Sequence, residues 1–192
     1  AATPAPTSAP QPTAAPTSPP VPTSAPNPGT TGAGCPQRYA VDGRAATFVE
    51  AERYTARNGR FTEITDPSRS GGVAMTIPGS GMRKDLATYL SFDLDVTNGG
   101  KFYVWLLSYG PSSSADSFTV QIDSGKATVA SLPRDGWAWK RTSGTFALSN
   151  GAHSLVIKNR EDGASVDQIL LTSDAHYTPA GFGNSPLTPR CG

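Results

Sequence analysis

The chain has 192 residues, with 16 Lys and Arg, 15 Asp and Glu, and a formal net charge of +1. Such a small net charge gives no electrostatic drive toward nucleic acid or an anionic membrane surface. No apolar run approaches the ~18 residues needed to span a bilayer. We therefore expect neither a nucleic-acid partner nor a membrane span.

Residues 1–34 are rich in Pro, Thr, Ser and Ala and contain no charged or aromatic residue. Closely spaced prolines block helix formation and remove backbone donors, so this segment is predicted to be an extended polyproline-II arm. Thr and Ser beside Pro are typical of O-glycosylated stalks. The arm is interpreted as an inter-domain linker or as a segment that packs on other copies of the chain. The folded domain is predicted over residues 35–192.

The two cysteines, Cys35 and Cys191, lie at the two ends of this predicted domain. Because the ends of a domain are often neighbours in space, a disulfide between them is the favoured interpretation. Such a bridge would contribute nominally about 4–5 kcal/mol in the chain-entropy model. The alternative is two unpaired thiols. A disulfide implies an oxidising compartment, so we expect a secreted, extracellular protein.

Strand patterns follow one another through the charged part of the chain, and no window has a sustained helical period. In 87–96, for example, apolar residues alternate with polar ones, as in a half-buried strand. The turn Asn98-Gly99-Gly100 predicts a hairpin, and Ser124-Gly125 predicts a turn into the next strand. The predicted strands are 46–53, 72–77, 87–96, 101–109, 117–123, 126–132, 137–148, 153–158 and 166–172.

Many short strands separated by turn signals predict an all-β fold, an antiparallel β-sandwich of the jelly-roll kind. In such a fold we expect the strands at 46–53 and 166–172 to be neighbours. That arrangement would suit a Cys35–Cys191 bridge.

The sequence lacks the common catalytic motifs. It has two histidines, and no Gly-x-Ser-x-Gly elbow, HExxH or phosphate loop. Its carboxylates are numerous enough to form a catalytic pair by chance, which leaves an unrecognised hydrolase open as an alternative. The expectation is nevertheless a protein without catalytic residues.

Three carboxylates are candidate metal ligands. Glu50 and Glu52 are two residues apart in a predicted strand, so both side chains should point to the same face. Asp167 opens the last predicted strand, beside the first. Carboxylate oxygens suit Ca²⁺, and backbone carbonyls could complete the coordination. The alternative is two exposed glutamates and an unrelated aspartate.

Two tryptophans are candidate sugar contacts. Trp137 and Trp139 are also two residues apart and follow a turn-like segment. An exposed tryptophan offers an apolar ring on which the CH-rich face of a sugar can pack. The loop that contains Asn159 and Arg160 could hydrogen-bond the hydroxyls. The alternative is that one or both tryptophans belong to the core.

Four segments together resemble the carbohydrate-binding modules of families 6 and 35. They are FVEAERY at 48–54, SGGVAM at 70–75, DGWAWKR at 135–141 and the closing segment at 149–172, which would form a hairpin. The likeness covers residues 47–172. One departure is the loop PGSGMRKDLATY, which has no aromatic residue before Tyr89 to face the tryptophan.

This resemblance implies a β-sandwich with a structural calcium ion at Glu50, Glu52 and Asp167. It also implies a sugar site at the loop end that uses Trp137 and Asn159. Arg83, in the departing loop, could favour an acidic sugar. The predicted function is non-catalytic binding of a polysaccharide or glycan. The alternative is a structural subunit of an extracellular fibre or surface assembly, joined through the Pro/Thr arm.

Overall fold

The structure, a computed structural model, describes residues 38–81 and 83–181. The predicted arm and both cysteines lie outside the described residues. Within the described part the chain forms two β-sheets and two short 3-10 helices, at Ala51–Arg53 and Ser70–Gly72. None of the helices described there is long and apolar enough to cross a membrane.

The first sheet has the strand order β1-β6-β12-β8-β9, and β3 also pairs with β6. Its pairs are antiparallel except for β1 and β6, which run parallel. Its strands are β1 (Arg38–Val41), β3 (Ala56–Asn58), β6 (Asp85–Val96), β8 (Ser117–Ile122), β9 (Thr128–Ser131) and β12 (Gly151–Asn159).

The second sheet has the order β10-β7-β13-β5-β4, with β11 paired to β7 and β2 paired to β13. All of these pairs are antiparallel. Its strands are β2 (Thr47–Glu50), β4 (Thr62–Thr65), β5 (Val73–Thr76), β7 (Gly100–Tyr109), β10 (Ala138–Arg141), β11 (Phe146–Leu148) and β13 (Ser165–Thr172).

Apolar faces of the two sheets pack against each other and form one core. Leu90, Phe92 and Leu94 of β6 are fully buried there, as their alternation predicts. From the other sheet, Phe102 and Val104 of β7 join the same cluster. The predicted antiparallel β-sandwich is therefore confirmed.

Two predicted hairpins are wrong. The turn at residues 98–100 joins β6 of the first sheet to β7 of the second, so it crosses the sandwich instead of pairing its flanking strands. The closing segment likewise sends β12 and β13 to opposite sheets. A Gly-containing turn reverses the chain in both arrangements, and only the burial of the flanking faces decides which sheet receives the next strand. The predicted turn at Ser124-Gly125 is confirmed, and the strands on either side of it, β8 and β9, pair with each other.

Two strand boundaries also differ from prediction. The segment 46–53 is a strand only to Glu50 and then turns into the first 3-10 helix. The segment 137–148 is two strands, β10 and β11, which both pair with β7. The expected proximity of the first and last predicted strands is confirmed, because β2 pairs with β13 from Gln168↔Glu50 onward.

Candidate functional site

A notch in the second sheet lies beside Asp167. On one side of β13, β5 pairs with residues 165 and 166, whereas β2 pairs with residues 168–171. Asp167 lies between these two pairings, where the register with β7 also shifts. The end of β2 and the start of β5 therefore meet at this residue.

The notch collects the three carboxylates that the sequence analysis selected. Asp167 and Glu50 are 0% and 2% exposed, and Glu52 is half-buried. Glu52 reaches the site from the 3-10 helix at Ala51–Arg53. The prediction that Glu50 and Glu52 share one face of a strand is therefore wrong, because the strand β2 ends at Glu50. The prediction that the three lie near one another nevertheless agrees with their mutual electrostatic effects.

Ser70 is the polar centre of the notch. Its hydroxyl donates to Glu50 Oε1, and its backbone N–H donates to Asp167 Oδ2 at 3.2 Å. Gln168 Nε2 donates to both Glu50 Oε1 and Ser70 Oγ, each at 3.0 Å. These bonds occupy one oxygen of Glu50 and one of Asp167.

One oxygen of each of the three carboxylates has no hydrogen-bond partner among the described residues. Glu50 Oε2, Glu52 Oε2 and Asp167 Oδ1 are all buried and unpaired. Burial raises the pKa of Glu52 to about 8, helped by the charges of Glu50 and Asp167. Burial likewise raises the pKa of Asp167 to about 7, and it raises the pKa of Glu50 despite the bonds from Ser70 and Gln168.

This donor set fits a hard divalent cation. Three buried carboxylate oxygens without partners are the ligands that Ca²⁺ takes, and a cation would compensate the charge that burial disfavours. In residues 38–81 and 83–181, however, no three acidic, His or Cys side chains already surround one point as in a formed metal centre. The residue types fit calcium, and the three side chains would have to move closer together to coordinate one ion.

Trp137 lies beside the notch, just before β10. Its ring is half-buried and contacts Tyr109 at a centroid distance of 6.1 Å. The Arg69 guanidinium lies over the same indole, 4.8 Å from its centroid. Arg69 is also paired with Asp66, Nε to Oδ2 at 3.2 Å. The indole is therefore part of an aromatic and cationic stack, outside the main core.

Trp139 and Trp137 line one open cleft of about 400 Å³. Trp139 makes an edge contact with Phe48, and its Nε1 donates to the carbonyl of Gly181 at 2.7 Å. The cleft thus combines two half-buried indoles with one guanidinium. Its remaining lining residues are Leu107, Ala138, Pro179, Ala180 and Gly181.

The other predicted sugar contacts lie in a different group of loops. Asn159 is fully buried, and its Nδ2 donates to Asp162 Oδ1 at 3.0 Å, while its Oδ1 has no hydrogen-bond partner among the described residues. Arg160 donates to Ser117 and Glu161. Arg83 is exposed and lies near enough to Asp162 to lower the pKa of that carboxyl, together with Arg60. The structure does not bring Asn159 to the indoles.

The strand faces around His153 also assemble a Ser-His-Asp arrangement that the sequence analysis missed. His153 Nδ1 lies 2.6 Å from Asp123 Oδ2, and its Nε2 lies 3.5 Å from Ser149 Oγ. The same Nε2 is only 3.0 Å from the Ser149 carbonyl oxygen, so it serves best as a donor to that carbonyl. A nitrogen that donates there cannot accept the hydroxyl proton, so the arrangement does not form an activated nucleophile.

A larger groove, about 730 Å³, lies between residues 122–129 and 143–148. Phe146 is the one aromatic residue among those that line it, and it is buried. This groove therefore offers no exposed ring for a sugar. The smaller cleft is the better candidate site because of its two tryptophans.

No protein-family model matches the sequence, and no curated protein matches it. Solved structures do match. A family 35 carbohydrate-binding module from Clostridium thermocellum is 20% identical, with a TM-score of 0.51 over 65% of this chain and 97% of that one. The fold is that of a carbohydrate-binding module. The resemblance to these modules is confirmed at the level of the fold.

Two matches are to parts of larger chains. An exo-β-1,3-galactanase from Phanerochaete chrysosporium is 21% identical, with a TM-score of 0.53 over 66% of this chain and 29% of that chain. A Cry1Da tryptic core variant from Bacillus thuringiensis is 14% identical, with a TM-score of 0.57 over 70% and 24%. This chain thus spans less than a third of either protein. Because both share the fold, the fold alone does not assign a ligand.

Proposed function

We propose that this domain binds a polysaccharide without catalysing a reaction on it, in the cleft between Trp137 and Trp139. The observation that carries the proposal is the pair of half-buried indoles that line one open cleft beside the Arg69 guanidinium. Apolar rings suit the CH face of a sugar, and guanidinium N–H groups are donors for hydroxyl or carboxylate oxygens.

The similarity in fold to the galactanase and to the family 35 module supports this proposal, because the first is named for a galactan and the second for carbohydrate binding. The ligand is accordingly a chain of sugars that can lie along an open cleft. β-1,3-Galactan is the first polysaccharide to test. An acidic polysaccharide such as polygalacturonate is the second, because Arg69 lines the cleft.

We further propose that Glu50, Glu52 and Asp167 hold a structural Ca²⁺. When bound, the ion would supply positive charge to three buried carboxylate oxygens that have no other partner. The secreted location and the Cys35–Cys191 disulfide remain predictions that accompany this function.

The test is affinity electrophoresis in gels that contain one soluble polysaccharide each. The protein should be retarded by at least one of them, and Trp137→Ala should abolish that retardation while the domain stays folded by far-ultraviolet circular dichroism. Loss of a stacking ring costs about 1 kcal/mol or more, which is enough to remove a weak interaction from such a gel.

Tyr103→Ala is the matched control. Tyr103 is a half-buried aromatic residue on the same strand as Tyr109, and it stacks with Arg141 outside the cleft. This variant should be retarded like the wild type. Equal retardation of the Trp137→Ala variant and the wild type would refute the cleft as the binding site.

A further inference from the structure

The loop at residues 66–72 touches both the carboxylate notch and the tryptophan cleft. Ser70 bonds to Glu50 and Asp167 on one side, and the adjacent Arg69 lies over Trp137 on the other. The two sites are therefore separated by a single peptide bond of this loop.

The loop is closed by hydrogen bonds between its own backbone groups. Asp66 N–H donates to the Gly72 carbonyl at 3.0 Å, and Arg69 N–H donates to the Asp66 carbonyl at 2.9 Å. Gly71 adopts a φ of +62°, and a Cβ added there would lie 2.9 Å from Glu52 Oε1. The backbone of the loop is thus packed closely against the third carboxylate as well.

We propose that Ser70 and Arg69 are positioning residues that couple cation binding at the notch to the arrangement of the Trp137 platform. This inference rests on the proposed function and on the calcium site proposed with it. Glu50 and Asp167 each present a buried, unpartnered oxygen to the notch, which is a second observation that points to a ligand there. A cation held by those oxygens fixes the carboxylates that hold Ser70, and Ser70 fixes Arg69 against the indole.

Coupling of this kind is reciprocal. If the cation favours the loop conformation in which Arg69 lies over Trp137, then removing Trp137 must weaken cation binding. No ligand needs to be identified for this test, since Ca²⁺ alone is the probe. The expected loss is about fivefold in Ca²⁺ affinity, at the low end of ordinary coupling between sites.

The experiment measures Ca²⁺ binding by isothermal titration calorimetry to the full chain and to the Trp137→Ala and Tyr103→Ala variants. Weaker binding by Trp137→Ala, with wild-type binding by Tyr103→Ala, supports the coupling. Equal affinities in all three proteins overturn it and leave the calcium site standing. No Ca²⁺ binding by the wild type overturns both the coupling and the calcium site, while the gel experiment tests polysaccharide binding separately.

A second measurement follows the indole itself. The chain has three tryptophans, so changing Trp105 and Trp139 to Phe leaves Trp137 as the sole reporter. Ca²⁺ should produce a saturable decrease in acrylamide quenching of this reporter, and Asp167→Asn should abolish the decrease. Unchanged quenching at saturating Ca²⁺ overturns the coupling. If the double Phe variant does not fold, the difference between the wild type and Trp137→Phe gives the same signal.

Discussion

Two groups of buried carboxylates in this domain differ in how far hydrogen bonds from the chain compensate their charge. Asp162, at the loop end, is 7% exposed and accepts hydrogen bonds from Arg60 and Asn159. Burial by itself would raise the pKa of Asp162, but these bonds outweigh it and lower the pKa. In the notch, Glu50 and Asp167 are buried as deeply, yet each keeps an unpartnered oxygen and a raised pKa.

The difference shows that the described residues compensate the charge of Asp162 but leave one oxygen of Glu50 and one of Asp167 unpaired. A buried charge is tolerated when it is paired and hydrogen-bonded, and it is costly otherwise. The charges of Arg53 and Arg69 favour ionisation in the notch, but burial outweighs them. The notch therefore calls for a partner that the described residues do not supply, whereas Asp162 already has its partner.

Binding of Ca²⁺ in the notch should produce the largest change in the free energy of unfolding. At 100 times its dissociation constant, Ca²⁺ should add about 2.7 kcal/mol to the free energy of unfolding, which corresponds to a rise in Tm on the order of 5–10 °C. Scanning calorimetry with Ca²⁺ and with chelator measures the shift. Asp167→Asn should lose it, whereas Glu63→Gln, on exposed β4, should keep it. An identical Tm in Ca²⁺ and chelator would refute the site.

Removing the partner of Asp162 should have a smaller effect that calcium does not change. Arg60→Met removes a charged hydrogen-bond donor from the Asp162 carboxylate and leaves the amide of Asn159 as its donor, so the free energy of unfolding should fall by about 2 kcal/mol. Urea denaturation with and without Ca²⁺ measures this loss. Arg44→Met, at an exposed position, should change stability little. A loss that Ca²⁺ restores would show that the two carboxylate groups are not independent.

The smallest effect concerns a third carboxylate, Asp123, which is paired with a histidine. Partial burial lowers the pKa of His153, but the Asp123 carboxylate and the Ser149 carbonyl outweigh it, and the pKa is raised. A raised histidine pKa stabilises the fold below about pH 6.5, the unfolded value, and the contribution is lost as pH rises through the folded value. Its size should be under about 1 kcal/mol, since the pair lies at the surface.

Thermal melts between pH 6 and pH 9, in saturating Ca²⁺ so that the notch stays ionised, test this pair. The wild type should lose stability toward high pH relative to Asp123→Asn. Parallel pH profiles for the two proteins would show that the His153 pair contributes nothing.

Much of the fold was predictable because it depends on local patterns. Alternating burial in β6 and β8 and the glycine turn between β8 and β9 are local, and so they were read correctly. The expected proximity of Glu50 and Asp167 follows from the pairing of β2 with β13, the first and last predicted strands. The role of Glu50, Glu52 and Asp167 as calcium ligands stays a prediction. The position of Trp137 next to a turn was also readable, whereas the sequence left open whether the ring is exposed or belongs to the core.

The errors share a physical cause, which is that they depend on contacts distant in sequence. Whether the turn at 98–100 makes a hairpin or crosses between sheets depends on the second sheet. Ser70 was singled out only as part of the SGGVAM segment and Arg69 not at all, because their roles arise only when β5 and β2 approach β13 from the same side.

Because the notch is assembled from strands distant in sequence, it can form only at a late stage of folding. Glu50 and Gln168 are hydrogen-bonded although they are 118 residues apart, and closing such long-range pairs is slow. During synthesis, Glu50 leaves the ribosome long before Asp167 does, so a half-made domain has no complete cation site. Ca²⁺ capture would accordingly be one of the last events of folding, and only full-length domains would gain its stabilisation.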